Sequence, residues 1–535
     1  MRLLPLLSLL ASLAIAPLVS AFGVTASGTQ FIVQTDGGLV FIVESTTGDI
    51  HSMQFNGVET QDQSGKWSQI SSGIGASCTW VQTGHSNNYI VVTCTTSTLT
   101  QYYVAQRNTP AIHMATYTTA EPSVGELRFI ARLSRSVVPN GSMYSNIVGG
   151  TAVESSDVFL VNGQTRSKFY SAVQFIDDQV HGVTGSGIGV YMVIPGGGYE
   201  SSSGGPFFKD IDNQGADQQE LYFCTFDQNS GHTQTEAFRT GLHGPYALWF
   251  TTGAAPSANI DLTFWEGLSV SGLVPASGRG YIIGKAIGVP TTYNSDITIT
   301  WNNSAAQYWA RADSSTQDFT SPAMKPGTYE MVLYKGELAV GSQSVVIQAG
   351  ERVTANIHDV NSDDTTAYIW QIGDFDGRPT SFLNADMITT MHPSDSRMHS
   401  WGPVTFTVGQ QGSGYFPMAV FQAIGPVTIR FALQSGQGGA RTLKIATSLA
   451  YAGGRPTITV NGWSGPVPPA PNEPNSRGVT RGTWRGNNQE YIVNIPSGVL
   501  FTGSTVNVIT INVASGSSGS GFLSPNFVFD AVALY

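Results

Sequence analysis

The segment Gly125-Glu-Leu-Arg-Phe-Ile-Ala-Arg-Leu carries two arginines four residues apart. As a strand, its period of two places Glu126, Arg128, Ile130 and Arg132 on one face and Leu127, Phe129, Ala131 and Leu133 on the other. At about 3.3 Å per residue the arginine Cα atoms stand roughly 13 Å apart, which suits two anionic groups on an extended ligand, each gripped bidentately. The competing reading is that Arg128 simply pairs with Glu126 or another acid. In Gln164-Thr-Arg-Ser-Lys-Phe-Tyr-Ser the same alternation aligns Arg166, Lys168 and Tyr170. An ammonium near other cations and partly out of water loses its proton more readily, so Lys168 is a candidate general base; the alternative is a solvated lysine on an edge strand. His232 follows a glycine turn in Asn229-Ser-Gly-His-Thr-Gln-Thr-Glu and is a candidate proton donor, whereas His243, inside Gly241-Leu-His-Gly-Pro-Tyr, reads as buried and structural. Tyr222, Asp177-Asp178 and Tyr199-Glu-Ser-Ser-Ser-Gly-Gly-Pro-Phe add groups that could line a sugar groove. Glu154, Asp157, Asp177 and Asp178 could equally supply the two carboxylates of a glycosidase. Spacing alone leaves both chemistries open.

The elements that must position these residues are strands. Short alternating segments such as Phe31-Ile-Val-Gln-Thr, Leu39-Val-Phe-Ile-Val-Glu and Tyr89-Ile-Val-Val-Thr-Cys are bounded by Gly, Asn, Asp and Ser, and sustained helical periodicity is nearly absent. The 535 residues allow three to four domains of about 150 residues each. The spacing predicts a large first domain over 21–271, a small sandwich over 272–360 and a third domain over 361–535 that ends in a sheet-bound strand, Phe527-Val-Phe-Asp-Ala-Val-Ala-Leu-Tyr. The formal net charge is −11 and no Lys/Arg run occurs, which argues against a nucleic-acid binder. Residues 1–20 carry Arg2, an apolar run from Leu3 to Val19 interrupted by Pro5, Ser8, Ser12 and Pro17, and a small-residue end at Val19-Ser20-Ala21. That pattern predicts a secretory signal peptide rather than a membrane span. Secretion permits disulfides: Cys78 and Cys94 flank a hairpin loop at Gly84-His-Ser-Asn-Asn, and a cross-strand bridge between them would leave Cys224 over. Asn140-Gly-Ser and Asn302-Asn-Ser are glycosylation sequons that fit the same compartment.

Several longer motifs occur in order along the chain: Ala120-Glu-Pro-Ser-Val-Gly-Glu-Leu-Arg-Phe-Ile-Ala-Arg-Leu, Thr165-Arg-Ser-Lys-Phe-Tyr-Ser, Asn229-Ser-Gly-His-Thr-Gln-Thr-Glu, Ser321-Pro-Ala-Met-Lys-Pro-Gly-Thr-Tyr, Met391-His-Pro-Ser-Asp-Ser-Arg-Met and Ser524-Pro-Asn-Phe-Val-Phe-Asp. Together they resemble the fungal rhamnogalacturonan lyases of polysaccharide lyase family four. The resemblance implies an all-β chain: a large N-terminal β-sandwich (super-sandwich), a fibronectin-III-like middle sandwich, and a C-terminal jelly roll resembling a carbohydrate-binding module. It implies endo-acting β-elimination at the rhamnose–galacturonate α-1,4 bond of plant cell-wall rhamnogalacturonan-I by a secreted monomer, with no membrane or nucleic-acid partner and no cofactor for the chemistry. Position by position, the family's base falls on Lys168, its acid on His232, its carboxylate-binding arginines on Arg128 and Arg132, and a substrate-binding tyrosine on Tyr222. The family's second tyrosine falls on Cys224, a departure, and the family partner of the cysteine matching Cys94 is replaced here by Cys78. In the third domain, Trp401, Trp463 and Trp484 are candidates for glycan contact or for the core, and Asp374, Asp376 and Asp530 for a structural calcium. A glycosidase and a non-catalytic glycan-binding protein are the alternatives.

Overall fold

A computed structural model of the chain describes residues 21–123, 126–141, 149–154, 158–162, 164–167, 171–215, 218–227, 237–387, 401–471, 478–485, 488–515 and 524–535. Alternating segments form strands throughout, and among the described residues α-helix is confined to one turn, Gly478–Arg481. The fold is all-β, as the turn-bounded alternation predicts.

In the first region, one layer is a seven-stranded sheet in the spatial order Val180–Gly185, Ile188–Val193, Gly241–Thr251, Ala111–Thr118, Leu99–Gln106, Tyr89–Thr95 and Ser77–Thr83. The facing layer combines a five-stranded meander, Gly23–Ser27 through Val58–Glu59, with a four-stranded sheet ordered Asn213–Gly215, Gln219–Asp227, Glu126–Leu133 and Gln69–Ile70. A bridge between Ile50 and Ser68 joins those two sheets. Inward side chains of both layers share one core in which Phe41, Phe129, Tyr103, Tyr246 and Phe250 are fully buried. Phe223 stacks on Tyr246 across the sandwich with ring centroids 3.9 Å apart. Cys78 and Cys94 lie directly opposite each other on neighbouring strands and form a disulfide.

The second region packs two four-stranded sheets around Trp301, Ile297, Ile299, Met331 and Leu333. The third region packs two five-stranded sheets, and its last strand, Asn526–Leu534, runs buried along its whole length between Trp370–Gly373 and Arg441–Tyr451. Trp401 is 3% exposed in the core of this region, while Trp463 and Trp484 pack half-buried against the same core. The ammonium of Lys209, from the first region, sits 4.9 Å from the Trp484 ring centroid, so this indole serves a domain contact.

Read as a groove lining, the segment from Tyr199 to Ser203 is instead buried and carries the junction between the first two regions. The carboxylate of Glu200 receives Arg279 at 2.5 Å, Lys325 at 2.6 Å and the Tyr308 hydroxyl at 2.7 Å, all three partners belonging to the second region. Burial alone would raise the Glu200 pKa, but Lys325 and Arg279 hold it below the usual carboxylate range. Removing one partner of a buried ion pair strands the other charges. Glu200→Ala is therefore expected to lower the unfolding free energy by about 3–5 kcal/mol, measured by urea unfolding against the parent protein.

Candidate active site

The strand Glu126–Leu133 divides its side chains as period two demands. Leu127, Phe129, Ala131 and Leu133 enter the main core at 2% exposure or less, and Glu126, Arg128, Ile130 and Arg132 point the other way. Antiparallel pairing sets Cys224, Tyr222 and Glu220 of the neighbouring strand opposite Arg128, Ile130 and Arg132, with a register shift between Leu127 and Arg128. The outward face is thus ionic at both ends and apolar in the middle, where Ile130, Ile211, Tyr222 and Cys224 pack together.

Both arginines have carboxylate partners. Arg128 Nη2 lies 2.9 Å from Glu126 Oε2, and its guanidinium carbon stands 5.3 Å from the centre of the Tyr222 ring. The Arg128–Glu126 pairing is the bland alternative of the sequence reading, and it is present. Arg132 donates from Nε to Glu220 Oε1 at 3.2 Å and from Nη1 to the Trp67 carbonyl at 2.6 Å. Its Nη2 has no partner among the described residues. The Tyr222 hydroxyl donates to Glu220 Oε2 at 2.5 Å, and the Gln214 amide donates to the same carboxylate. Burial works to raise the Glu220 pKa, yet Tyr222, Gln214 and Arg132 hold it below the usual range, so it stays ionised. Burial and that neighbouring carboxylate push the Tyr222 phenol far up, so it remains a donor. Two fixed guanidinium groups on one extended face can receive two carboxylates of a single ligand.

A second charged cluster underlies this face. His181 Nδ1 donates to Asp178 at 2.7 Å and Nε2 to the Tyr222 carbonyl at 2.9 Å, while Tyr199 donates to the other oxygen of Asp178. The Asp212 carbonyl accepts the Tyr222 N–H at 3.0 Å, and its carboxylate accepts the Val173 N–H at 2.9 Å. The cluster therefore clamps both backbone groups of Tyr222. Burial would lower the His181 pKa, but Asp178 and Asp212 raise it to about 9. Asp178, His181 and Asp212 offer ligand atoms within 4.8 Å of one another. Both imidazole nitrogens are already committed as donors, which suits an imidazolium held by carboxylates better than a metal ligand.

Lys168 and His232 lie outside the described residues, as do Tyr170, Asp157 and the side chain of Glu154. The strand Gln164–Ser167 leads into Lys168, and Gln219–Asp227 ends opposite Glu126 on the way to His232. His243 is structural: it is 1% exposed, bonds the Arg239 carbonyl at 3.0 Å, and burial pulls its pKa down to about 3. Asp177 and Asp178 do not form the carboxylate pair a glycosidase needs. Asp177 makes a bidentate, half-open bridge to Arg311 at 2.7 and 2.9 Å, while Asp178 turns inward to His181. Asn140 is exposed and Asn302 half-buried. Cys224 is buried.

In the third region Asp376 and Asp530 are buried beside Arg378. Asp530 Oδ1 accepts backbone N–H groups of Asp376, Gly377 and Arg378 at 3.2, 2.7 and 3.0 Å, Asp376 is held by the Arg378 guanidinium at 2.7 Å, and Asp374 is exposed. Asp530 Oδ2 is buried with no hydrogen-bond partner among the described residues.

Sequence reasoning missed Glu220, Gln214, Trp67, His181 and Asp212. The i, i+2 spacing of Glu220 and Tyr222 was a usable signal, since strand alternation puts them on one face. His181 has a pKa of about 6.5 when unfolded and about 9 when folded, so its stabilisation is complete below about pH 6.5 and disappears as pH rises through about 9. Urea unfolding is expected to show a loss of a few kcal/mol between pH 6.5 and pH 10, and His181→Gln to flatten that slope.

Comparison with known proteins follows the same architecture. Residues 22–272 match the family model "Rhamnogalacturonan lyase B, N-terminal", 278–355 match "Polysaccharide lyase family 4, domain II", and 368–534 match "Polysaccharide lyase family 4, domain III". The chain is 50% identical over 523 residues to "Rhamnogalacturonate lyase A" of Emericella nidulans and likewise to that of Aspergillus aculeatus, in each case over 96% of both chains. Sequence, three-part β architecture and family matches agree that the chain is a polysaccharide lyase and belongs to polysaccharide lyase family 4.

Proposed function

We propose that the chain is a secreted, endo-acting rhamnogalacturonan lyase that cleaves the rhamnose–galacturonate α-1,4 bond of rhamnogalacturonan-I by β-elimination. The observation that carries the reading is the outward face of Glu126–Leu133, where two guanidinium groups are held on one strand beside Tyr222. The names of the Emericella and Aspergillus relatives support the same substrate. The signal-like residues 1–20 and the sequons at Asn140 and Asn302 support a secreted glycoprotein.

The chemistry follows from charge. A proton alpha to a carboxylate is hard to remove, because a second negative charge develops beside the first. Arg128 or Arg132, paired to that carboxylate, stabilises the enolate-like transition state. Lys168 acts as the general base and takes the C5 proton of the galacturonate. The C4–O4 bond breaks as the C4–C5 double bond forms, and His232 gives a proton to O4 as the rhamnose leaves. The second arginine takes the carboxylate of another uronate along the alternating backbone.

Elimination creates an unsaturated uronate that absorbs in the ultraviolet, which hydrolysis does not. The expected result is an absorbance rise on rhamnogalacturonan-I, none on homogalacturonan, and a fall of about 10²–10⁴-fold in rate for Lys168→Ala and for His232→Ala. New reducing ends without absorbance would mean hydrolysis and would overturn the proposal. Binding without cleavage would make the chain a glycan-binding protein.

A further inference from the structure

Trp67 occupies a position that no core explains. It is half-buried, joins none of the apolar clusters among the described residues, and lies two residues before the strand Gln69–Ile70. In that strand Ile70 pairs with Phe129 and enters the core, while Gln69 pairs with Ile130 on the outward face. Beyond Gln69 the ladder ends, the Arg132 N–H going to Ser68 Oγ at 2.7 Å, and the Arg132 side chain instead reaches Trp67 through the 2.6 Å bond from Nη1 to its carbonyl. On the other side, the Ile50–Ser68 bridge sets His51 opposite Trp67. Ile50 and Ser68 are fully buried, so alternation turns His51 and Trp67 outward. Their rings stack with centroids 4.2 Å apart and planes 25° apart. Glu220, Arg132, Trp67 and His51 thus form one continuous chain of contacts.

We propose that Trp67, braced by His51, is a stacking platform for a neutral sugar of the polymer, adjacent to the uronate held by Arg132. The inference rests on the lyase reading of the arginine face and adds a binding position to it. An indole presents a broad apolar face at low conformational cost, and the C–H face of a neutral deoxyhexose such as rhamnose covers it without stranding a charge. In a backbone that alternates uronate with rhamnose, the sugar next to the one on Arg132 is the neutral one. The His51 ring fixes the indole plane before the sugar arrives, which lowers the ordering cost of binding. Trp67 reaches Arg132 through its carbonyl alone, so truncating the indole leaves the Arg132–Glu220 pair and that hydrogen bond in place.

The test is steady-state kinetics on rhamnogalacturonan-I for the parent enzyme, Trp67→Ala and Trp67→Tyr, with thermal unfolding of each. Trp67→Ala is expected to raise KM about tenfold with kcat changed less than about twofold, and Trp67→Tyr to recover most of the loss, because an aromatic face is restored. Unchanged KM in Trp67→Ala would overturn the platform while leaving the lyase reading standing. A fall in kcat together with a lowered unfolding temperature, not recovered by Trp67→Tyr, would make Trp67 structural and overturn it as well. Absence of any ultraviolet product from the parent enzyme would instead overturn the lyase reading itself.

Discussion

Two guanidinium groups held against a hydrophobic core must be matched by carboxylates, and that requirement shapes the face on which this enzyme is built. Glu126–Leu133 has Leu127, Phe129, Ala131 and Leu133 in the main core, so Arg128 and Arg132 cannot relax inward. Glu126 and Glu220 supply the opposing charges, and Tyr222 links the two ends by lying under Arg128 and bonding Glu220. A pair of buried opposite charges is tolerable only when its remaining donors and acceptors are satisfied. Gln214 and the Tyr222 hydroxyl do that for Glu220, and the Trp67 carbonyl takes one donor of Arg132. The outcome is two guanidinium groups held in place by their carboxylate partners.

The layer behind it extends the same logic. His181, carrying charge between Asp178 and Asp212, grips the Tyr222 carbonyl, and the Asp212 carbonyl grips its N–H. The position of Tyr222 is thereby tied to the ionic cluster of Asp178, His181 and Asp212. The whole chain carries −11, so a polyanionic polymer is repelled by most of the surface and attracted only where cations are concentrated. Glu200 binds the first domain to the second through Arg279 and Lys325 by the same pairing of charges.

Much of this was legible in the sequence, and what was missed had physical causes. Period-two alternation alone assigned the two faces of Glu126–Leu133, because a strand that is half core leaves no other solution. The Cys78–Cys94 bridge was legible from its hairpin. Glu220 and Trp67 were not, since each matters through its cross-strand neighbour and register is set by pairing between distant segments. Asp178 and Glu200 looked like groove acids because polarity in sequence does not say whether a carboxylate meets solvent or a buried cation. Around Asp530, Oδ1 takes three backbone N–H groups and Asp376 takes the Arg378 guanidinium, partners that acid spacing in the sequence does not reveal.

We propose that the outward face of Glu126–Leu133 reads uronate carboxylates through its two arginines. Calorimetric binding of rhamnogalacturonan oligosaccharides to Lys168→Ala protein, compared with the same oligosaccharides after reduction of their carboxyl groups to alcohols, tests it most directly. Reduction is expected to weaken binding by at least about tenfold, and adding Arg128→Gln and Arg132→Gln to abolish the difference. Equal affinity for the charged and the reduced oligosaccharides would contradict it.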